Sequence, residues 1–191
     1  QLKAAGERSG LKCEGDHGTA QLKAIHQIGE GGALSVMIGS AGAGKTAMLK
    51  PLDDAWKEDG RRVYGMALAW RQADDLIDAG IARNDAKGIN DSRAISIFMK
   101  DAASGKIELD HKSVVVVDEL SLLGTRQGLD LLRLRDKHDF QLVMIGDDKQ
   151  CQSIEAGPII DLARKALGPE KIPEILTTMR QKLERERDIA G

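Results

Sequence analysis

The chain is poor in aromatic residues and cysteines and has no long apolar run, and each shortage excludes a class of protein. Aromatic residues make up only 3% of the 191 residues, which argues against an open nucleic-acid-binding face paved with stacking rings. The two cysteines, Cys13 and Cys151, have no metal-ligand spacing, so we expect reduced thiols in a cytoplasmic protein. Because no apolar stretch is long enough to cross a bilayer, we expect no membrane segment.

A large excess of either charge is also missing. The chain has 28 basic and 30 acidic residues, for a formal net charge of -2, which argues against a uniformly basic surface. Any contact with nucleic acid must therefore be a local patch. The four histidines are scattered along the sequence and form no cluster of metal ligands.

One glycine-rich stretch carries the strongest chemical signal. It reads Gly39-Ser40-Ala41-Gly42-Ala43-Gly44-Lys45-Thr46, matches the phosphate-loop pattern G-x-x-x-x-G-K-[ST], and follows an apolar run at residues 33–38. Its glycines let the backbone wrap a polyphosphate with N–H groups pointing inward. Lys45 is predicted to reach the β- and γ-phosphates, and Thr46 to help hold Mg²⁺. The pattern predicts a site for ATP with Mg²⁺.

Short apolar runs alternate with helical patterns along the chain. Predicted strands cover residues 33–38, 63–68, 114–117, 141–145 and 172–176. Predicted helices cover residues 20–28, with Thr19 as the N-terminal cap, and residues 70–79, 92–103, 125–136 and 159–167. Pro51 predicts a kink or an early end in the helix after the phosphate loop, and Asp53-Asp54 are expected on a helix surface. The alternation predicts an α/β fold, a doubly wound and mostly parallel sheet with helices on both faces.

Two acidic residues, Asp118-Glu119, close the apolar run at residues 114–117. Beside a phosphate loop, Asp118 is predicted to hold Mg²⁺, directly or through water. Glu119 is predicted to orient and deprotonate an attacking water as general base. Taken alone, the pair would be better explained as a solvated strand end.

A polar cluster, Gly146-Asp147-Asp148-Lys149-Gln150, follows the next apolar run. The carboxyl ends of parallel strands share one edge of a sheet, so this cluster is predicted to lie near the phosphate loop. Gln150 is predicted to reach the γ-phosphate, and Asp147 to support the metal shell. The alternative is an ordinary Gly-Asp turn.

These motifs, with Leu176-Thr177-Thr178-Met179-Arg180-Gln181, resemble those of superfamily 1 DNA helicases in their order. The resemblance covers about residues 17–191. It is closest to the RecD-like branch, and within it to the first RecA-like lobe of the helicase part of TraA-type (MobF class) conjugative relaxases. It implies a P-loop NTPase fold in which Gln21 reads the adenine, Gln150 senses the γ-phosphate, and Arg180 donates charge to it during transfer.

The resemblance also implies a single-strand contact at residues 67–73. Trp70 is expected to stack on a base and Arg71 to contact phosphate. Ala69 stands where the family usually has a threonine, which weakens this expectation. The alternative is that Trp70 packs its helix onto the sheet.

The expected domain division combines this resemblance with the composition of residues 1–18, where glycines lie among charges. Residues 1–18 are a flexible lead-in or the end of a preceding domain, residues 19–178 an ATP-binding lobe, and residues 179–191 the start of a second motor lobe. We expect the chain to be a piece of a larger protein. The implied partners are that second lobe, single-stranded DNA, and conjugation or relaxosome proteins.

The sequence therefore predicts the first motor lobe of an ATP-dependent DNA helicase. In isolation we expect it to bind Mg-ATP and to hydrolyse it slowly if at all. One alternative is a nucleotide-binding switch or scaffold without motor activity, which could dispense with Glu119. A small-molecule kinase is disfavoured because no arginine-rich lid segment is evident.

Overall fold

The structure is a computed structural model that describes residues 15–29, 32–39, 45–68, 70–84, 89–119, 123–147 and 174–175. Its helices are α1 (Gly15–Gly29), α2 (Lys45–Glu58), α3 (Trp70–Asp78), α4 (Ile95–Ala103) and α5 (Thr125–His138). Its strands are β1 (Leu34–Gly39), β2 (Arg62–Ala67), β3 (Arg83–Asn84), β4 (Ile89–Asn90), β5 (Ser92–Ala94), β6 (Ser113–Val117), β7 (Gln141–Asp147) and β8 (Glu174–Ile175).

Six of these strands form one sheet in the order β5-β2-β6-β7-β1-β8, and every neighbouring pair is parallel. The other two strands, β3 and β4, form a separate antiparallel pair. Strand β6 has the sequence Ser-Val-Val-Val-Val and is buried along its whole length, as a central strand covered on both faces requires. The predicted parallel α/β sheet is confirmed.

Two hydrophobic clusters, one on each face of the sheet, hold the helices in place. Alternate valines of β6 point to opposite faces: Val115 and Val117 join the cluster that contains α4 and α5. Val114 and Val116 join the cluster that contains α1, α2 and α3. The sheet is therefore covered by helices on both faces, as predicted.

Two expectations about helix α2 are not met: an early end at Pro51 and a surface position for Asp53. The helix runs through Pro51 without ending early, because Met48, Leu49 and Leu52 around it are buried and packing maintains the helix despite the lost hydrogen bond. Asp53 is fully buried instead of lying on the helix surface. The Lys57 ammonium lies 2.7 Å from the Asp53 carboxylate, and the backbone N–H of Ala82 donates to it at 3.1 Å.

Two predicted helix boundaries also moved. The helix predicted from residue 92 begins at Ile95, because residues 92–94 pair with β2 as a strand that buries Ser92 and Ala94. Helix α1 begins at Gly15, five residues earlier than the helix predicted after a Thr19 cap. Packing further along that helix, at Ala24, Ile25 and Ile28, stabilises it beyond what the local signal indicates.

The last predicted strand is present in part. Glu174–Ile175 pairs in parallel with β1 at the edge of the sheet. The helix predicted at residues 159–167 and the segment 179–191 lie outside the described residues. Among the helices in the described ranges, none has the length and apolar character needed to cross a membrane.

Candidate functional site

The carboxyl ends of the parallel strands meet at one edge of the sheet. At this edge Gly39, the last residue of β1, lies opposite Asp147 of β7 on one side and Ile175 of β8 on the other. Strand β6 ends at Val117, so Asp118-Glu119 leave the sheet at the same edge. Because β7 alone separates β1 from β6, their ends are two strand spacings apart, roughly 10 Å.

The phosphate-loop sequence lies between β1 and α2. Strand β1 ends at Gly39 and α2 begins at Lys45, which is the strand–loop–helix context that the motif requires. A helix of this length directs the positive end of its dipole at the loop. Residues 40–44 lie outside the described residues, and the side chains of Lys45 and Thr46 are not described.

Asp118 is held at the sheet edge by its backbone and stays half-buried. Its N–H donates to the carbonyl of Met66 in the neighbouring strand β2 at 2.9 Å, which extends the ladder by one residue. One Asp118 carboxylate oxygen, Oδ1, accepts from the backbone N–H of Glu119 at 2.9 Å. These two bonds fix the direction in which the Asp118 carboxylate leaves the strand.

The backbone of Glu119 takes a left-handed conformation, with φ at 56°. A residue with a Cβ occupies this region at a cost in free energy, and such residues cluster at functional sites. The turn ends β6 abruptly and brings the half-buried Glu119 side chain beside helix α3. Ala82 and Asp139 share this conformation, so it is the place of Glu119 at the end of β6 that agrees with the sequence prediction.

Gln72 is the partner that the sequence did not predict. Its side-chain amide Nε2 donates to carboxylate oxygen Oε2 of Glu119 across 47 positions of the chain. Gln72 is the third residue of α3, the helix that follows β2, and β2 adjoins β6. No sequence signal identifies Gln72, because the motif spacing does not show which strand lies beside β6.

The floor beside the two carboxylates is apolar. A small pocket at this edge has walls formed by Ala67, Leu68, Ile95 and Leu123, together with the strand end at Val117 and the two acidic residues. An apolar wall lowers the local dielectric, so charges held here interact more strongly than at an open surface.

Trp70 lies at the surface as the first residue of α3, the helix that follows β2. It is 56% exposed, and nearby Leu68 is 42% exposed. Helix α3 packs through Ala73 and Leu76 instead, so the alternative that Trp70 packs the helix onto the sheet is wrong. Arg71 beside it is also exposed.

The remaining predicted site residues divide into two groups. Gln21 is 6% exposed in α1, which packs against α2 and β8, so it is not a surface glutamine. Gln150 and Arg180 lie outside the described residues.

Within the described part of the chain, no group of three or more His, Cys, Asp or Glu side chains gathers as a metal site. Mg²⁺ bound with a nucleotide needs only one or two carboxylates, so Asp118 fits that role.

Comparison with known families identifies the domain. A family described as an AAA domain matches residues 17–191. The chain belongs to this family. Its curated relatives include a probable conjugal transfer protein TraA of Sinorhizobium fredii, 37% identical over 138 residues. That alignment covers 72% of this chain and 12% of the relative. A conjugal transfer protein TraA of Rhizobium radiobacter is 30% identical over 165 residues, which cover 86% of this chain and 14% of the relative.

The fold of this AAA domain is also found among solved structures. The helicase domain of Pyrococcus furiosus Hef superposes with a TM-score of 0.60 at 14% identity, covering 82% of this chain and 37% of that chain. At that identity the likeness concerns the fold alone. The resemblance drawn from the motifs is confirmed: the chain is a P-loop NTPase domain related to conjugal transfer TraA proteins, and it spans about an eighth of their length.

Proposed function

We propose that this AAA domain is the ATP-hydrolysing first motor lobe of a DNA helicase that acts in conjugal DNA transfer. One observation carries the proposal. The strand that leads into the phosphate-loop sequence and the strand that ends in Asp118-Glu119 lie in one parallel sheet, separated by a single strand. Their separation of roughly 10 Å leaves room for a γ-phosphate and an attacking water between the loop and the carboxylates.

Glu119 is the proposed general base. Its carboxylate takes a proton from water while the water oxygen bonds to the γ-phosphorus of ATP. The bond between the γ-phosphorus and the bridging oxygen to the β-phosphate breaks, and ADP and inorganic phosphate leave. Lys45 balances the charge of the β- and γ-phosphates, and the backbone N–H groups of the loop 39–44 bind the phosphate oxygens.

Thr46 and Asp118 are the proposed ligands of the metal ion. A hydroxyl and a carboxylate are the hard oxygen donors that Mg²⁺ prefers. Mg²⁺ bound there would neutralise phosphate charge as the γ-phosphoryl group transfers. The hydrogen bond from the Glu119 N–H to Asp118 supports this role, because it orients the carboxylate at the strand end.

Three further residues complete the proposed nucleotide site. Gln21 reads the adenine, and its burial in a helix packed against α2 supports a fixed position near the loop. Gln150 senses the γ-phosphate. Arg180 donates charge during transfer, a contribution on the order of 10³-fold or more in rate for a well-placed arginine.

Movement along DNA is proposed for the whole protein. Trp70 and Arg71 are the proposed contacts of this lobe with single-stranded DNA, and the exposure of Trp70 supports that role. A second motor lobe, single-stranded DNA and relaxosome proteins are the proposed partners, and the cytoplasm is the proposed location. By family implication the direction is 5′ to 3′.

Unwinding by the full native protein that carries these residues tests the proposal. We expect ATP-dependent unwinding of a fluorescent duplex with a 5′ single-stranded tail, and none of the same duplex with a 3′ tail. Lys45→Ala should abolish the activity because the phosphates lose their cation. If the native protein bound ATP but neither unwound DNA nor hydrolysed ATP faster with single strands, the switch or scaffold alternative would replace the motor.

A further inference from the structure

The hydrogen bond between Gln72 and Glu119 connects two parts of the site that are 47 residues apart in the sequence. Gln72 belongs to the first turn of α3, and Glu119 follows β6. The bond involves a neutral amide donor and a carboxylate acceptor, so it has the strength of a hydrogen bond to a charged group. The bond reaches the carboxylate group of Glu119 from another element of the fold.

Glu119 needs such a restraint. Its backbone lies in the left-handed region with φ at 56°, and its N–H is already engaged by Asp118. The backbone conformation therefore fixes the position of the Glu119 Cβ, and the hydrogen bond from Gln72 fixes the position of its carboxylate. A general base works only when its oxygen is within hydrogen-bond reach of the water, and errors of about 1 Å cost on the order of 10²-fold in rate.

The exposed indole ring of Trp70 lies in the same turn of α3 as Gln72. Trp70 opens the helix and is 56% exposed, whereas the buried contacts of α3 are made further along, by Ala73 and Leu76. Trp70 therefore lies in the first turn of the helix, two residues before Gln72. A displacement of this turn moves the amide that holds the Glu119 carboxylate.

We propose that Gln72 is a positioning residue that orients Glu119 and couples strand contact at Trp70 to ATP hydrolysis. The inference rests on the proposed function, because it takes Glu119 as the general base. A base stacked on Trp70 steadies the first turn of α3, and the Gln72 amide then holds the carboxylate in the orientation that accepts the water proton. Gln72 itself touches neither water nor nucleotide in this scheme.

The test uses Gln72→Met in the full native protein, because methionine keeps the length of glutamine and removes the amide donor. We expect kcat for ATP hydrolysis with single-stranded DNA to fall about tenfold or more, with KM for ATP within twofold of wild type. The stimulation of hydrolysis by oligo-dT should fall below twofold. Gln72→Ala serves as a second variant if Gln72→Met does not fold.

Gln127→Met is the matched control. Gln127 is an exposed glutamine in the first turn of α5, where its side chain accepts from the N–H of Gly124 at 3.4 Å. The same substitution there removes a first-turn hydrogen bond away from the proposed site. We expect kcat and DNA stimulation to stay within twofold of wild type.

A binding measurement provides a readout that does not depend on turnover. Coupling between two sites is reciprocal, so a non-hydrolysable ATP analogue should change the affinity of wild type for fluorescent oligo-dT several-fold. In Gln72→Met that change should shrink to less than twofold, while the affinity for the analogue alone is retained. A structural role confined to α3 would instead weaken both bindings or lower the unfolding midpoint.

Two contrary results are distinguishable. If Glu119→Gln abolished hydrolysis while Gln72→Met kept both kcat and DNA stimulation within twofold of wild type, the positioning role would be wrong and the proposed function would stand. If wild type did not hydrolyse ATP, or Glu119→Gln hydrolysed it at the wild-type rate, the proposed function would fail and this inference with it.

Discussion

Substituting Gly65 by alanine is the sharpest perturbation of the sheet that carries the site. Gly65 lies within β2, opposite Val116 of β6 and Ser92 of β5. An added Cβ would come within 2.7 Å of the Ser92 hydroxyl oxygen, 3.0 Å of its Cβ and 3.3 Å of Leu76 Cδ1. The Ser92 atoms belong to a short side chain in a paired strand, so they have little freedom to move away.

The expected cost can be worked from two opposing effects. Forcing extra volume into a packed region costs about 1–3 kcal/mol. Replacing glycine reduces the entropy of the unfolded chain and returns about 0.4–1 kcal/mol. With the closest contact well inside van der Waals distance, we expect Gly65→Ala to lower the free energy of unfolding by about 1–2 kcal/mol.

Substitutions at two other glycines distinguish steric crowding from backbone strain as the cause of a loss of stability. Gly32 has open space around its added Cβ, so Gly32→Ala should change stability by no more than about 0.5 kcal/mol. Gly105 also has open space, but its φ is +73°, so Gly105→Ala should cost about 1 kcal/mol through backbone strain alone. Urea unfolding followed by circular dichroism measures all three. If Gly65→Ala were no less stable than Gly32→Ala, the close approach of β5 to β2 would be refuted.

Three further predictions concern Asp53 and Trp70. Asp53→Ala should lower the free energy of unfolding by about 2–3 kcal/mol, measured by urea unfolding, because the Ala82 N–H loses its acceptor and Lys57 its partner. Burial raises the pKa of Asp53, so the folded protein keeps this proton to higher pH than the unfolded chain does. The stability of wild type relative to Asp53→Asn should therefore be greatest below about pH 4 and decline as pH rises through the folded-state pKa; a constant difference from pH 4 to 8 would contradict this. Trp70→Ala should weaken oligo-dT binding by about 1–3 kcal/mol in fluorescence anisotropy and leave the urea midpoint unchanged, since the ring is mostly exposed.

The sheet could be predicted from the sequence because its signals are local. The four consecutive valines of β6 identify a strand buried on both faces, and the glycine-rich loop identifies the strand before it. Asp118 and Glu119 followed from their place at the end of that valine run. Each of these predictions needed only a few adjacent residues and the rule that parallel strands share a carboxyl edge.

The rest depends on contacts between distant parts of the chain. Asp53 with Lys57 four residues later has the pattern of an exposed helix pair. In the fold Asp53 is buried and accepts a hydrogen bond from the Ala82 N–H, 29 positions along the chain. The contact of Gln72 with Glu119 depends on β2 and β6 being neighbours, which strand spacing along the chain does not fix. Residues 92–94 form a strand because they pair in parallel with β2, a contact that the local sequence does not indicate.

Hydrolysis and binding of ATP by Glu119→Gln test the central claim most directly. The amide keeps the size of the carboxylate and cannot accept the water proton, so the account predicts a kcat lowered by about 10²–10⁴-fold with ATP affinity retained. Lys45→Ala, measured beside it, should lose affinity as well. A Glu119→Gln protein that hydrolyses ATP at the wild-type rate would contradict the assignment of this sheet edge as the site of hydrolysis.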